Sequence, residues 1–372
     1  MFTPIQLNTI ATAEHVGAGH PDKACDKISD AVHDAIYIEG ARQGHPPHTC
    51  RAAIEVFAKA GLVVVSGEAR APAGVLEAID VPAIVRRVRA ELGYATRVDL
   101  VIMNHIQPQA SEIAAITGDD GAGDQGIMVA MACRDTAEMM PVEYAAARNL
   151  IQALDAARAD GTLPYIRRDT KSQVSVAPDG RITSVIVSAQ HDPNIALDQL
   201  RQDIFDKVVV PVLGDVPREI AKINHKGSFV EGGTDADAGL TGRKIVVDAF
   251  GPYWSVGGGA FSGKDPSKVD RSGAYMARAL ARTVLENGFA DGQTCQVALA
   301  YGIGQVQPEA VMAVVDGRHD VSDWIASQFP DLSPRAIQDR LGLWERDGWT
   351  YEQTASFGHF GRAGLPWEKS LL

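Results

Sequence analysis

Lysines that follow a run of three glycines are the side chains whose types and spacing first indicate chemistry. Glycine occupies residues 257–259, and Lys264, Asp265 and Lys268 come shortly afterwards. Pro266 and the helical spacing of the apolar residues beyond it predict a helix that begins close to the glycines. Free N–H groups, the positive end of a helix and lysines together favour phosphate binding, although a glycine-rich loop alone is often a simple turn. The pattern indicates a phosphorylated small molecule as the ligand.

A second group of cations lies shortly upstream. Arg243 and Lys244 end the segment GLTGRK, and residues 245–248 after it read as a short buried strand. With the two lysines and the arginine that follow the glycines, they place five cations in one strand–loop–helix unit. The net charge of the chain is −12, and a local group of cations on an acidic protein points to a bound anion.

The overall composition is that of a globular enzyme. The chain has 372 residues, of which 45% are hydrophobic and 22% are charged, which suggests two or three domains. Its acidic balance argues against a nucleic-acid-binding surface, and no apolar run reaches membrane-spanning length. The first residues lack a basic segment followed by an apolar one, so we expect no secretion signal. The four cysteines are widely spaced without a CxxC pair, which predicts reduced thiols, a cytoplasmic location, and neither a zinc site nor disulfides.

Alternating periodicities predict strands and helices throughout the chain. The 3.6-residue pattern predicts helices over residues 21–36, 82–92, 144–159 and 197–212. Apolar runs and period-two alternation predict strands over residues 52–58, 62–65, 100–103, 174–176, 182–188, 296–300 and 310–315. Turn residues dominate 107–125, which reads as a mobile loop or lid. The basic segments are therefore expected on loops between these elements.

Several charged residues lie at positions where they are candidate ligands. Asp22 and His20 stand at the start of the first predicted helix, where an Asp commonly only complements the helix dipole. Mg²⁺ usually binds through one or two carboxylates together with substrate phosphates, so Asp22 and Asp270 are also candidate magnesium ligands. Glu55 on a predicted strand and Lys171 are equally compatible with ordinary surface positions. Taken singly, none of these residues decides between a structural and a functional role.

Taken together, the short motifs resemble the S-adenosylmethionine synthetase family, whose members are also called methionine adenosyltransferases. The matching segments follow the family's order along almost the whole chain, and the longest of them is highly specific. They are GHPDK at 19–23, GAGDQG at 121–126, GTLP at 161–164, KSQV at 171–174, GLTGRK at 239–244, GGGAFSGKDPSKVDRS at 257–272, GHFGR at 358–362 and PWEK at 366–369.

The resemblance implies a fold of the α/β class (α+β type) with three similar subdomains related by approximate threefold symmetry. We expect these to span residues 1–113, 114–229 and 230–372, with active sites at the interface of a homodimer or homotetramer. The implied reaction is attack of the L-methionine sulfur on C5′ of ATP, followed by cleavage of the released tripolyphosphate to pyrophosphate and phosphate. A thioether is a competent neutral nucleophile, so the reaction needs cations and metal ions around the leaving group rather than a general base.

The motifs also carry the family's site residues onto positions in this sequence. The implied catalytic residues are His20, Lys171, Arg243, Lys244 and Lys264. The same five are implied to contact ATP, together with Asp169, Ser228, Phe229, Asp237 and Ala260. The implied methionine-binding residues are Glu68, Gln109, Asp237 and Lys268. Asp22 and Asp270 are implied to hold Mg²⁺, with two ions per site, and Glu55 is implied to hold K⁺.

A few positions depart from the family's motifs. Ala18 stands where the family usually has Glu, Val256 where it has His and Ser228 where it has Arg, and the 107–120 loop also differs. These departures leave the implied metal and polyphosphate residues in place, and we expect them to affect selectivity for methionine. The alternatives are a family member that acts on a methionine analogue and a silent subunit that binds ATP and regulates a partner. A kinase-like phosphotransferase has no supporting motif of its own.

Overall fold

Three four-stranded sheets form the framework of the protein in the computed structural model. The structure describes residues 9–94, 99–109, 120–289 and 291–372. The strands are β1 Ala11–Val16, β2 Arg51–Lys59, β3 Leu62–Arg70, β4 Val101–Pro108, β5 Gly126–Cys133, β6 Ile166–Val176, β7 Ile182–His191, β8 Ala221–Ile223, β9 Gly239–Leu240, β10 Thr294–Tyr301, β11 Ala310–Val315 and β12 His319–Asp320. The predicted α/β class with three units is confirmed.

The helices cover the sheets and also connect them. They are α1 Pro21–Arg42, α2 Val81–Glu91, α3 Val142–Ala159, α4 Leu197–Ile204, α5 Val210–Leu213, α6 Gly233–Ala236, α7 Ile245–Asp248, α8 Val269–Thr283, α9 Ser322–Gln328, α10 Pro334–Arg340 and α11 Tyr351–Thr354. A π-helical turn at Phe205–Val209 joins α4 to α5, so the predicted helix over 197–212 is continuous. A second π-helical turn, Val284–Gly288, extends α8.

Each sheet combines strands from distant parts of the chain. The first sheet has the order β1–β6–β7–β8, and the second has the order β12–β11–β10–β5. The third has the order β4–β3–β2–β9, in which β3 and β4 are parallel. Strand β1 pairs with β6 so that Val16 lies opposite Lys171. The chain therefore enters α1 directly beside the strand that carries Asp169 and Lys171. The predicted subdomain boundaries, 1–113, 114–229 and 230–372, stay a prediction.

Helix α1 begins at a well-capped end that carries part of the GHPDK motif. His20 is the N-cap residue, its ring accepts a hydrogen bond from the N–H of Asp22, and Pro21 occupies the first turn. The predicted apolar face is confirmed, because its four members are buried: Ala24, Ile28, Val32 and Ile36. This burial fixes the start of the helix, and with it His20 and Asp22, against the third sheet.

The structure corrects three details of the predicted elements. Residues 245–248, predicted as a strand, form the helical turn α7, because four apolar residues carry no decisive periodicity. Pro266 lies ahead of α8 rather than in its first turn, because the Asp265 carboxylate accepts the N–H of Ser267 and closes a separate turn there. Strand β4 continues to Pro108, and residues 110–119 of the predicted 107–125 loop lie outside the described residues.

Three hydrophobic clusters fill the spaces behind the sheets. One packs α1 and α2 on the third sheet, one packs α3 and α4 on the first, and the largest packs α8 and the aromatic C-terminal segment on the second. Trp367 is fully buried and stacks on Tyr275 with ring centroids 3.6 Å apart. All four cysteines are buried free thiols. Among the described residues, the helices include none that is long and apolar enough to cross a bilayer.

Candidate active site

The turn between β1 and α1 joins the GHPDK motif to strand β6. The N–H of Gly17 donates to the carbonyl of Thr170 at 2.8 Å, and that of Gly19 donates to the carbonyl of Arg168 at 3.0 Å. A Cβ atom on Gly19 would lie 2.7 Å from Arg168, so only glycine permits this approach. The structure therefore brings His20 next to Asp169 and Lys171.

His20 is held in its neutral form by this environment. Burial lowers the pKa of its imidazole to about 4, and the nearby ammonium groups of Lys244 and Lys171 reinforce the effect against the attraction of Asp22. The Nδ1 atom of His20 accepts the N–H of Asp22, which also helps to fix the ring. At neutral pH this histidine is an uncharged group that can donate from its other nitrogen.

The Asp22 carboxylate lies under the GLTGRK segment. It accepts the N–H of Leu240 at 3.0 Å and pairs with Lys244 Nζ at 2.5 Å, and Arg243 Nε lies 3.4 Å away. A Cβ on Gly239 would lie 2.1 Å from the carbonyl oxygen of Pro21, so this loop and the first turn of α1 are in contact. Two of the predicted polyphosphate residues therefore converge on one predicted magnesium ligand.

The glycine-rich loop forms a second pairing of a lysine with a carboxylate. Lys264 and Asp270 form a salt bridge, and the main chain of Lys264 pairs with Ala53 on β2. The GLTGRK segment (239–244) and the glycine-rich loop (257–264) are called the two basic loops below. They are in contact, because a Cβ on Gly242 would lie 2.6 Å from the Cβ of Ala260. Each basic loop thus presents at least one cation next to a carboxylate.

Glu55 and one predicted methionine residue, Glu68, line a cavity beside the glycine-rich loop. This cavity of about 450 Å³ is lined by residues that include Glu55, Glu68, Thr241, Ala260 and Lys264. Glu68 accepts a hydrogen bond from Gln109 at 2.9 Å and lies 3.4 Å from Lys268 Nζ. The structure therefore brings three of the four predicted methionine residues together.

Four other predicted ATP residues do not line this cavity, as far as the structure describes the chain: Asp169, Ser228, Phe229 and Asp237. Asp169 accepts the N–H of Gly233 at 2.6 Å, and burial raises the pKa of its carboxyl to about 6. Asp237 is exposed on the loop that follows α6. The N–H of Phe229 donates to His191, and Ser228 is exposed; neither lines the cavity beside the glycine-rich loop, as far as the described residues extend.

Comparison with known proteins identifies the family to which the sequence is similar. Family models for the N-terminal, central and C-terminal domains of S-adenosylmethionine synthetase match residues 8–111, 119–229 and 231–369.

The chain belongs to the S-adenosylmethionine synthetase family.

Individual relatives resemble it over nearly their whole length. A protein of Nitrobacter hamburgensis named S-adenosylmethionine synthase is 38% identical, over 97% of this chain and 96% of the relative. Proteins of the same name from Desulfosudis oleivorans and Clostridium tetani are 39% and 40% identical, with at least 95% of each chain covered.

The acids of the site suit a hard cation. Among the described residues there is no cluster of three or more His, Cys, Asp and Glu side chains of the kind that holds a metal alone. Asp22 and Asp270 each offer one carboxylate beside cations that attract phosphate, and Mg²⁺ commonly binds through one or two carboxylates plus substrate phosphates. The donor set therefore fits magnesium held jointly by the protein and a polyphosphate.

A second cavity contains residues to which sequence reasoning gave no role. It has a volume of about 670 Å³, and Asp124 and Gln125 line it together with Lys264 and Asp270. Asp124 and Gln125 belong to the GAGDQG motif, which resembles the family but carries none of the predicted site residues. Val256, one of the departures from the family, lies on the wall of the same cavity. Ala18 is buried next to Gly19, so a larger acidic side chain there would need rearrangement.

Proposed function

We propose that the protein makes S-adenosylmethionine from ATP and L-methionine, as a methionine adenosyltransferase. The observation that carries the proposal is the pairing of each basic loop with one carboxylate, Arg243 and Lys244 with Asp22 and Lys264 with Asp270. Such a set is suited to a ligand with several phosphates and bound Mg²⁺. The family membership supplies methionine as the second substrate.

The proposed reaction is a displacement at carbon. A lone pair of the methionine sulfur forms a bond to C5′ of ATP, the C5′–O bond breaks, and its electrons leave on the tripolyphosphate. Water then cleaves the tripolyphosphate to pyrophosphate and phosphate. Negative charge gathers on the leaving group, so cations fixed before the reaction lower the barrier. Neutral His20 would donate a hydrogen bond near the breaking bond, while Lys171, Arg243, Lys244 and Lys264 would contact the phosphates.

Metal ions would share this task. Asp22 and Asp270 would each hold one Mg²⁺ with phosphate oxygens, and Glu55 would hold K⁺. Bound magnesium would supply positive charge to the leaving group. In the protein itself, the lysines that now pair with Asp22 and Asp270 would turn to the phosphates when the carboxylates bind metal.

The proposed site for methionine is a connected set of charged and hydrogen-bonding side chains, formed by Glu68, Gln109 and Lys268. Their contacts support a site for a zwitterion, whose ammonium would bind a carboxylate and whose carboxylate would bind the lysine. Asp237 is the further candidate for the ammonium group. Asp169, Phe229, Ser228 and Ala260 stay predictions for the nucleoside and the phosphates.

A homodimer would form through the outer face of the third sheet. Phe57 pairs with Leu240 and with Val64, and Val64 pairs with Met103, which places these side chains on one face. Phe57 and Met103 are 38% and 53% exposed, which leaves an apolar patch open to solvent. Glu55 lies on the same face, two residues from Phe57, so a partner seated there would adjoin the site. The homotetramer and the cytoplasmic location stay predictions.

The decisive experiment is incubation of the purified protein with ATP, L-methionine, Mg²⁺ and K⁺. We expect the sulfonium product in equal amounts with pyrophosphate and phosphate, detected by chromatography and mass spectrometry. ATP binding without sulfonium product would contradict the proposal and favour a silent subunit. Light scattering on the same sample measures the oligomeric state, and Met103→Glu should shift it toward the monomer.

A further inference from the structure

Four aspartates follow one another along one face of helix α1 at intervals of four residues. Asp22, Asp26, Asp30 and Asp34 are all buried, and spacing of four keeps their side chains on the same side of the helix. Each carboxylate accepts a hydrogen bond from a backbone N–H of a segment more than 200 residues later in the chain. In order along the helix, the donors are Leu240, Gly242, Gly263 and Glu352.

Asp26 holds the first basic loop. Its Oδ1 accepts the N–H of Gly242 at 2.9 Å, and the next two residues are Arg243 and Lys244. Its other oxygen lies 2.9 Å from Lys23 Nζ. Lys23 is itself buried and also pairs with Asp248, so the carboxylate of Asp26 is fixed from both sides. The backbone ahead of Arg243 is thereby tied to a rigid helix.

Asp30 holds the glycine-rich loop one helical turn further on. It accepts the N–H of Gly263 at 2.8 Å and forms a two-pronged salt bridge with Arg271, each contact being 2.8 Å long. Arg271 also donates to the carbonyl of Lys264 at 2.7 Å. Both members of the pair are fully buried. The main chain of Lys264 is therefore fixed on either side by one buried ion pair.

We infer that Asp26 and Asp30 are positioning residues, and that α1 sets the spacing between the two basic loops. Four residues of helix correspond to a rise of about 6 Å, so the two carboxylates are held at a fixed separation. Neither carboxylate needs to touch substrate, because each acts through the backbone of a loop that carries Lys244 or Lys264. This inference rests on the proposed function.

The expected consequence is kinetic. Lysine and arginine side chains are long and flexible, so their usefulness in the transition state depends on where their backbone is held. A displacement of about 1 Å from the productive geometry can cost about a hundredfold in rate. Binding of ATP in the ground state is less sensitive, because a flexible cation still finds a phosphate. Loss of positioning should therefore lower kcat more than it raises KM.

Asp34 provides a matched control on the same helix. It is buried, accepts the N–H of Glu352 at 2.8 Å and forms a salt bridge with Arg346. Like Asp26 and Asp30, it therefore binds both a distant backbone N–H and a cation. The segment that it holds, around the start of α11, carries none of the predicted site residues. Removal of its carboxylate should therefore affect stability without a specific effect on turnover.

The test compares Asp26→Ala and Asp26→Asn with Asp34→Ala and Asp34→Asn in the full-length protein. Steady-state kcat and KM for ATP and methionine are measured beside the melting temperature of each variant. We expect Asp26→Ala to lower kcat by about ten- to a hundredfold with KM for ATP within about threefold of wild type. Asp26→Asn keeps an acceptor for Gly242 and should lose only about three- to tenfold. Both Asp34 variants should keep kcat within about twofold of wild type, even where their melting temperature falls.

Equal reductions of kcat in the Asp26 and Asp34 variants would overturn the inference. Asp26 variants with a raised KM and an unchanged kcat would also overturn it. If Asp26→Ala does not fold, the asparagine pair decides: a loss of at least threefold in Asp26→Asn alone supports the inference, and equal values overturn it. A wild-type protein that forms no S-adenosylmethionine would overturn the proposed function, and the inference with it. An active wild type with indistinguishable variants overturns the inference alone.

Discussion

Substitution of a single glycine next to Asp270 should test whether that carboxylate needs an accurate position. In Gly259→Ala, the new Cβ would lie 2.2 Å from both Oδ1 and Cγ of Asp270. Ordinary van der Waals contact begins near 3.4 Å, so the carboxylate or the loop must move by about 1.2 Å (3.4 − 2.2). The backbone of Gly259 is not in the left-handed region, so alanine meets no conformational obstacle there.

A shift of this size should displace the Lys264–Asp270 pair from its working geometry. Misplacement by about 1 Å can cost about a hundredfold in rate, which corresponds to about 2.7 kcal/mol in the activation free energy. The assay is the initial rate of sulfonium formation at saturating ATP and methionine, with the melting temperature measured in parallel. We expect kcat of Gly259→Ala to fall by about a hundredfold with little change in melting temperature.

The adjacent glycine serves as the steric control. A Cβ on Gly258 meets no heavy atom within 4 Å, and its backbone is also outside the left-handed region. The fold reduction in kcat should therefore be at least about ten times smaller for Gly258→Ala than for Gly259→Ala. Equal losses in the two variants would refute the argument, since the effect would then follow from stiffening the loop rather than from contact with Asp270.

Four other perturbations test separate parts of the site. Lys264→Ala should lower turnover by about a hundredfold, or about 3 kcal/mol, with ATP binding by calorimetry much less affected; near-normal turnover would contradict its assignment to the leaving group. Excess chelator should abolish activity through Asp22 and Asp270, and replacing K⁺ with Na⁺ should lower it through Glu55; indifference to either would count against that site. Burial raises the pKa of Asp169 to about 6 from 3.8, so the folded state binds its proton more tightly than the unfolded chain. Stability from this group is present at low pH and is lost as pH rises toward 7, so Asp169→Asn should gain about 1.4 kcal/mol relative to wild type between pH 5 and pH 8 in denaturant titrations, and a pH-independent difference would refute the shift.

Local patterns in the sequence predicted much of the fold because they report on neighbouring residues. The start of α1 could be predicted from His20, Pro21 and the apolar spacing that follows, and parts of β6 and β7 from the apolar patterns at 174–176 and 182–188. The error at 245–248 has the same origin. Four apolar residues fit a buried strand and a buried helical turn equally well, and tertiary packing selects between them.

The pairing of loops with acids could not be predicted from local pattern. Asp26 and Asp30 read as polar positions of an amphipathic helix, and nothing in their spacing names the backbone N–H groups of Gly242 and Gly263 as partners. Motif order placed predicted site residues on the GLTGRK segment and on the glycine-rich loop, and the structure brings these two segments into contact. The contacts between those loops depend on sheet pairings across more than 150 residues, such as β1 with β6.

The sheet pairings also have a consequence for biosynthesis. Strand β1 can pair with β6, β2 with β9 and β5 with β10 only after the later strand of each pair has been synthesised. Each sheet therefore gains a strand only after a long stretch of later chain has been made. Nascent chains would meanwhile expose unpaired strand edges, which are sites of aggregation. The last of these three pairings requires residues 294–301, so the ribosome must complete roughly the first four-fifths of the chain before it can form. Refolding from denaturant should accordingly be slow, and protection by chaperones should matter more during synthesis than after release.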